Sequence, residues 1–428
     1  MIFFINHKRL KIKVIRQKQF AGNIIWNLLG SILSKGSIFL VSILTARMLS
    51  QEDFGRVSYI YQTIALIVIF ASMGLSVTAI RFTAEALSSG RDSLYSVVKK
   101  LTVLVLIFSF FSILIGLFYQ NELLTLLQMN EEQTFVIWLI LPIVILTAFN
   151  QVQFGILSGV KSFKSLAVSN ALVGISSLPI AYILISQFLI KGYLISLLIT
   201  ALLTTICNRI FILKAINKVS VNIAESKINS SYKDIVNFAW PNLFSSLIFT
   251  GATWLCFSLL ATKNLIEVAA FNVSNQLMGI LFIIPTICAQ VLMSYTANSK
   301  NRQLFKQALF FNGGVSLVLA LMMMLSSHYL LGLYGEQYQT HTLVLNLCLA
   351  TLVVMSLSSQ VEHYMVGLGM ARSHLVYTLV FSVIFVLLSY SLLDYGAVGI
   401  AFSRLIAYLI KLLFSFWYVS KVDYASTN

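Results

Sequence analysis

The sequence predicts an all-α polytopic membrane protein with twelve transmembrane helices in two six-helix lobes, related by a pseudo-two-fold axis near the membrane normal. Three observations carry that expectation. Hydrophobic residues make up 58% of the 428 and charged residues only 10%, against roughly a quarter charged in a soluble domain, so most of the chain must face lipid. Apolar stretches of ~20 residues, the length that crosses a bilayer core, recur from Phe20 onward with no soluble segment of domain size between them. Basic residues collect in short connections on alternate sides of these stretches, the pattern that sets membrane orientation.

In chain order, a basic arm at 1–19 comes first, carrying Lys8, Arg9, Lys11, Lys13, Arg16 and Lys18. The apolar run behind it is too long for a cleaved signal peptide, so the arm is expected to be retained. It reads as a topology signal or as a contact for anionic lipid headgroups. The first lobe, 20–212, holds spans at 20–46, 57–82, 97–118, 134–158, 166–188 and 192–212. The longest cytoplasmic connection, the polar and basic 213–234, links it to the second lobe, 235–419. There the spans fall at 235–260, 268–292, 304–326, 340–368, 374–393 and 396–419, leaving 420–428 as a cytoplasmic tail.

With the N-terminus inside, 22 of the 29 Lys and Arg fall on the cytoplasmic side, so both termini are expected there. Only Arg47, Arg56, Lys191 and Lys263 lie outside, and Lys35, Arg404 and Lys411 lie within spans. The longest external segments, 119–133 and 327–340, carry no Lys or Arg and are too short for a catalytic domain.

Two sequence echoes support the division into lobes. Leu44-Thr45-Ala46-Arg47 recurs 216 residues later as Leu260-Ala261-Thr262-Lys263, and Gln151-Val152-Gln153 recurs 209 residues later as Gln360-Val361-Glu362. Because each unit has an even number of spans, the two repeats insert in the same orientation, which places their symmetry axis along the membrane normal. The net charge of +15 would suggest nucleic acid in a soluble protein, but its distribution reports topology, and no nucleic-acid partner is expected. The four cysteines, Cys207, Cys256, Cys288 and Cys348, fall inside spans without metal-ligand spacing and read as small core residues.

Polar and charged residues inside spans are the candidate site, because a lone ammonium at mid-membrane costs about 2.5–3.5 kcal/mol unless it meets water or a partner. Lys35 sits near the middle of the first span on a stripe with Asn23, Asn27, Ser31, Ser34, Ser42 and Thr45. It reads as facing a cavity or as half of a structural ion pair. Span twelve sets Arg404, Tyr408, Lys411 and Ser415 on one helical face. Glu362 and His363 in span ten are candidates for proton or cation coupling, and Glu362 reads equally as a structural partner of Arg404 or Lys411. Asn275 and Gln276 in span eight precede Pro285, which reads as a hinge or as a static kink. Arg47 and Arg81, at the ends of the first two spans, complete the candidate cationic set. No phosphate-binding GK[ST] loop, HExxH or GxSxG in a soluble context occurs, so neither enzymatic activity nor a cofactor is expected.

Phe20-Ala21-Gly22-Asn23, Leu44-Thr45-Ala46-Arg47-Met48-Leu49, Glu52-Asp53-Phe54-Gly55 and Gly74-Leu75-Ser76 before Arg81 together resemble the start of Wzx-type polysaccharide flippases. Span four resembles the same family at Gly155-Ile156-Leu157-Ser158-Gly159 with Lys161 following. The resemblance implies the multidrug/oligosaccharidyl-lipid/polysaccharide exporter superfamily, two lobes around a central cavity, and an undecaprenyl-pyrophosphate-linked glycan as substrate in a bacterial inner membrane. It also implies that H+ or Na+ and a polymerase of the same pathway are possible partners. The first lobe lacks the mid-span carboxylate that related multidrug exporters can use for ion coupling, which makes cation-coupled drug export the second reading. A membrane glycan polymerase or ligase stands third, because such enzymes resemble one another in a large external loop that this chain lacks.

Overall fold

A computed structural model describes the chain except for residues 1–25, 27–28, 130–132, 220–230, 287–301, 368–370 and 428. The fold is all-helical, 93% helix, with no strands among the described residues. Nine described helices are long and apolar enough to cross a membrane. Large apolar side chains such as Phe110, Phe118, Phe310 and Leu325 are exposed on their outer faces, the inverse of a soluble protein and what a lipid solvent requires.

Helix α1 runs Leu29–Met48, α2 Gln51–Ser72, α3 Leu75–Ser88, α4 Arg91–Phe118 and the short α5 Gln120–Leu126. They are followed by α6 at Phe135–Gly159, α7 at Phe163–Lys218, α8 at Tyr232–Lys263 and α9 at Leu265–Leu281. The rest are α10 at Arg302–Leu325, the short α11 at Ser327–Gly332, α12 at Thr342–Gly367, α13 at Ala371–Ser391 and α14 at Gly396–Thr427.

Local chemistry fixes several boundaries. The Ser50 hydroxyl caps α2 by accepting from the Asp53 amide, with Glu52 and Asp53 against the positive end of the helix dipole. A reciprocal capping box of Ser231 and Asp234 starts α8, and the Asn264 side chain accepts from the Ile266 amide to start α9.

The expected span 57–82 is two helices, a correction that hydropathy alone did not signal. The chain breaks at Met73 (φ 49°) and Gly74 (φ 66°), both left-handed. A Cβ on Gly74 would lie 2.7 Å from the Ala239 carbonyl oxygen of α8, so glycine supplies both the backbone conformation and the close helix approach. The expected linker 213–234 is helical at both ends, since α7 extends to Lys218 and α8 begins at Tyr232. The segments at 119–133 and 327–340 contain helical turns, α5, α11 and the 3-10 helix Glu336–His341.

Helix α7 reverses at Leu189, whose φ of 49° and ψ of −125° are non-helical. Gly192 then lies so close to the Leu184 carbonyl that no Cβ fits, which makes α7 a tight hairpin of the two expected spans. The same device recurs 207 residues later, where Gly399 abuts the Leu392 carbonyl between α13 and α14. Gly192→Val is expected to lower the folded amount in membranes and the detergent melting temperature. Gly36→Ala, at a helical position with nothing within 4 Å of a new Cβ, should leave both unchanged.

Packing follows two similar patterns. Helix α6 packs against α2, α3, α4 and α7, while α12 packs against α9, α10 and α14. Helices α2 and α3 reach α8, and α2 also lies along α9, where Gly55 meets the Leu265 carbonyl. Helix α1 rests on the first arm of α7 through Gly30 against Ala167 and Ser37 against Gly174.

Candidate functional site

A chamber of ≈ 510 Å³ lies between α1, α2, α6 and both arms of α7, closed on one side by Thr250 of α8 and by Asn272 and Gln276 of α9. Its polar lining is hydroxyl and amide: Ser34, Ser37, Ser42 and Thr45 from α1, Ser58 and Tyr61 from α2, Thr147, Asn150 and Gln151 from α6. Helix α7 adds Asn170, Ser177, Tyr193, Ser196, Thr200 and Thr204. Among the described residues no Lys, Arg, Asp or Glu lines it.

Helical periodicity builds this wall. Ser196, Thr200 and Thr204 recur every fourth residue on the second arm of α7, which aligns them on one face. Asn150 binds α6 to that arm by donating to the Ala201 carbonyl at 2.9 Å and accepting from Thr205 Oγ1 at 2.8 Å. Asn170 donates to the Gly30 carbonyl at 3.1 Å, fixing α7 to α1. Asn272 Nδ2 donates to Ser58 Oγ at 2.8 Å across α9 and α2.

In the second half the intramembrane charges Glu362, Arg404 and Lys411 are held in packed contacts instead. Lys411 Nζ pairs with Glu362 Oε1 at 2.7 Å, with side chains only 6% and 13% exposed, and Ser358 Oγ donates to the same oxygen at 3.0 Å. The buried Arg404 guanidinium donates to Asn275 Oδ1 at 2.7 Å and Cys348 Sγ at 3.1 Å and lies 5.0 Å from the Phe271 ring centre. The Gln151-Val152-Gln153 echo is visible here. Gln153 on α6 donates to the Thr205 carbonyl of α7, and its counterpart Glu362 on α12 pairs with Lys411 of α14. One junction is neutral and the other ionic.

At the Arg47 end of the bundle the halves are joined. Arg47 Nε donates to the Leu333 carbonyl at 2.7 Å, and Tyr334, with no exposed surface, donates to Gln276 Oε1 at 3.1 Å. The Tyr334 and Tyr338 rings sit edge-on against Phe39 and Phe54, closing the chamber at that end. Arg81 lies toward the other end, paired with Glu85 at 2.9 Å and stacked 4.5 Å from the Phe238 ring centre.

Of the candidate residues, Gln276 lines the chamber, whereas Arg47, Arg81, Asn275, Arg404 and Lys411 do not. Asn27 and Cys288 lie outside the described residues. His363 Nδ1 is 2.8 Å from the Ser359 carbonyl of its own helix. Pro285 is buried, and its carbonyl accepts from Asn312 and Gln360 at 3.4 Å each. Lys35 is exposed and has no ion pair with a described residue. At ~100° per residue it falls about 20° from the direction of Ser42 and about 40° from Phe39. Ser42 lines the chamber and Phe39 meets Tyr334 of the second half. The exposed Leu29, Leu33 and Leu40 lie more than about 100° away from Lys35. Lys35 does not line the chamber; it stands at the chamber's border on α1, between the lining Ser42 and the outward-exposed Ile32 about 60° away.

Apolar helices of membrane-crossing length, folded around a partly open chamber whose apolar wall carries hydroxyl and amide groups, define a multi-pass membrane protein with an internal site. The chain belongs to the polysaccharide biosynthesis protein family, whose model matches residues 20–296, a segment that contains every motif of the Wzx-type resemblance. It is similar to the EPS I polysaccharide export inner membrane protein EpsE of Ralstonia nicotianae, 23% identical over 409 residues covering 90% of each chain. The EpsE protein of Ralstonia solanacearum is 22% identical over 406 residues, again 90% of each. In fold it is similar to a multidrug resistance MATE family transporter of the MOP superfamily in an inward-facing conformation. That match has a TM-score of 0.75 and 18% identity, covering 94% of this chain and 99% of the other. The lipid II flippase MurJ, in an inward closed conformation, matches with a TM-score of 0.73 and 14% identity over 92% of this chain and 87% of its own.

Proposed function

We propose that this protein is a flippase of the bacterial inner membrane that carries an undecaprenyl-pyrophosphate-linked oligosaccharide from the cytoplasmic to the outer leaflet. Two six-helix lobes, 20–212 and 235–419, rock about the α2–α9 contact to give alternating access. The observation that carries this reading is the chamber, a space inside a lipid-facing bundle whose described lining is uncharged and carries hydroxyl and amide groups, with Lys35 at its border. A glycan needs hydrogen bonds and a pyrophosphate needs a cation, whereas the polyprenyl tail can remain in the bilayer. The family membership and the printed names of the EpsE and MurJ relatives agree with it. The protein then acts as a transporter rather than an enzyme, alongside a polymerase that consumes the exported units.

With both termini cytoplasmic, the joined Arg47 end faces outward and the conformation is closed on the outside. Reporters active only outside the cytoplasm, fused after Glu122 and Gln337, should score external, and one after Lys227 internal. A reversed signal at Lys227 breaks the two-lobe topology. Deletion of the gene should strand undecaprenyl-linked units in the cytoplasmic leaflet. Single repeats on the cell surface would instead identify a polymerase. Drug export is the weaker reading, because a cationic drug would meet no carboxylate among the described lining residues.

A further inference from the structure

The geometry points to a saccharide site selective for uncharged sugars, in which the chamber of the first half holds the glycan and excludes acidic ones. This inference rests on the flippase reading and adds its substrate class. Several of the chamber's hydroxyl hydrogens are already committed to the protein. Thr45 donates to the Val41 carbonyl, Ser58 to Phe54, Ser177 to Gly174, Thr200 to Ser196 and Thr204 to Thr200, each within its own helix. A hydroxyl whose proton is committed to the backbone presents lone pairs to the space in front of it. Asn150, Asn170 and Asn272 each commit one of their two amide N–H donors to a protein acceptor.

The hydroxyls of Thr45, Ser58, Ser177, Thr200 and Thr204 therefore meet a ligand as acceptors. Sugar hydroxyl and acetamido N–H groups are donors and match that surface, while Tyr61 and Tyr193 on the lining supply ring faces for the apolar sides of sugar rings. A uronate or other acidic sugar brings a carboxylate that only accepts. It would lose its hydration with no cation among the described lining residues to replace the water. The second half offers no remedy, since Lys411 is held by Glu362 and Arg404 is buried among Asn275, Cys348 and Phe271. One exposed cation, Lys35, stands at the chamber's edge, where it can meet the pyrophosphate while the sugars lie deeper along α1 between Ser34 and Thr45.

The test uses the purified full-length protein in lipid nanodiscs and four probes: a short-chain polyprenyl pyrophosphate carrying a neutral disaccharide, the same lipid carrying a disaccharide that ends in glucuronate, the sugar-free lipid, and tetraphenylphosphonium. The expected order is neutral glycolipid binding at least tenfold more tightly than both the acidic and the sugar-free lipid. Thr200→Val removes one acceptor with little change of shape and should weaken the neutral probe about three- to tenfold while leaving the sugar-free lipid unchanged. Thr200→Lys should narrow or reverse the neutral-over-acidic preference. Equal binding of the neutral and acidic probes, with no response to either substitution, overturns the selectivity while leaving the flippase reading intact. Binding of tetraphenylphosphonium with no binding of any polyprenyl lipid overturns the flippase reading itself.

Discussion

Glu362→Ala is expected to destabilise the protein by about 3–5 kcal/mol, because it leaves the Lys411 ammonium buried without its carboxylate. The pair is short, 2.7 Å, and nearly enclosed, and the other contacts of Lys411 are the faces of Phe381 and Tyr408, 5.4 and 5.5 Å from the ring centres. Neither ring can substitute for an anion at that depth. The double change Glu362→Leu with Lys411→Met should recover most of the loss, since removing both charges also removes their desolvation cost. Detergent unfolding of the two single variants and the double variant measures this directly. Equal stability of Glu362→Ala and the wild type would show that the pair contributes nothing and would return Glu362 to the role of a coupling carboxylate.

Lys35→Ala should reduce glycan export about 10- to 100-fold at unchanged membrane abundance, the loss expected when one charged hydrogen bond to a phosphate disappears. Abundance should hold because Lys35 is exposed and forms no ion pair with a described residue, so its removal strands no buried partner. Lys35→Arg should keep more export than Lys35→Ala, since a guanidinium still attracts phosphate, and Lys35→Glu should keep the least. Surface glycan and protein amount are measured in the same cells. Full export by Lys35→Glu at normal abundance removes Lys35 from the site. Arg404 should behave differently: the contacts to Asn275, Cys348 and Phe271 make it part of the packed second half, so Arg404→Ala should lower abundance first.

The membrane architecture was legible in the sequence because lipid imposes apolar length on every span, and that signal survives without any knowledge of packing. Hydropathy could not register the break at Met73 and Gly74. Both sides of it are apolar, and the cause is the approach of the Ala239 carbonyl from a helix 165 residues away. The alternatives left open for Glu362 were fair, since a carboxylate within a span needs either water or a partner, and the structure supplies Lys411. Part of the chamber was legible as well, since the α1 stripe of Ser34, Ser42 and Thr45 and the Gln276 amide line it. The intramembrane charges Arg404 and Lys411 lie elsewhere, and the rest of the wall consists of neutral side chains that are individually commonplace in membrane helices. The Ser196, Thr200, Thr204 stripe and the Asn150 and Asn170 amides carried the signal. Their meaning depended on α6 and α7 meeting around one space, which no local pattern encodes.

Flipping is measured by reconstituting the purified chain into proteoliposomes with a fluorescent polyprenyl-pyrophosphate-linked neutral oligosaccharide in both leaflets. Its accessibility to an impermeant glycan-oxidising reagent outside the vesicles is then followed. The flippase reading predicts that the protein lets the inner-leaflet fraction become accessible, that Lys35→Glu at equal protein content slows this strongly, and that protein-free vesicles keep about half of the probe protected. A protected fraction that persists with the wild-type protein under imposed H+ and Na+ gradients as well as without them would contradict it.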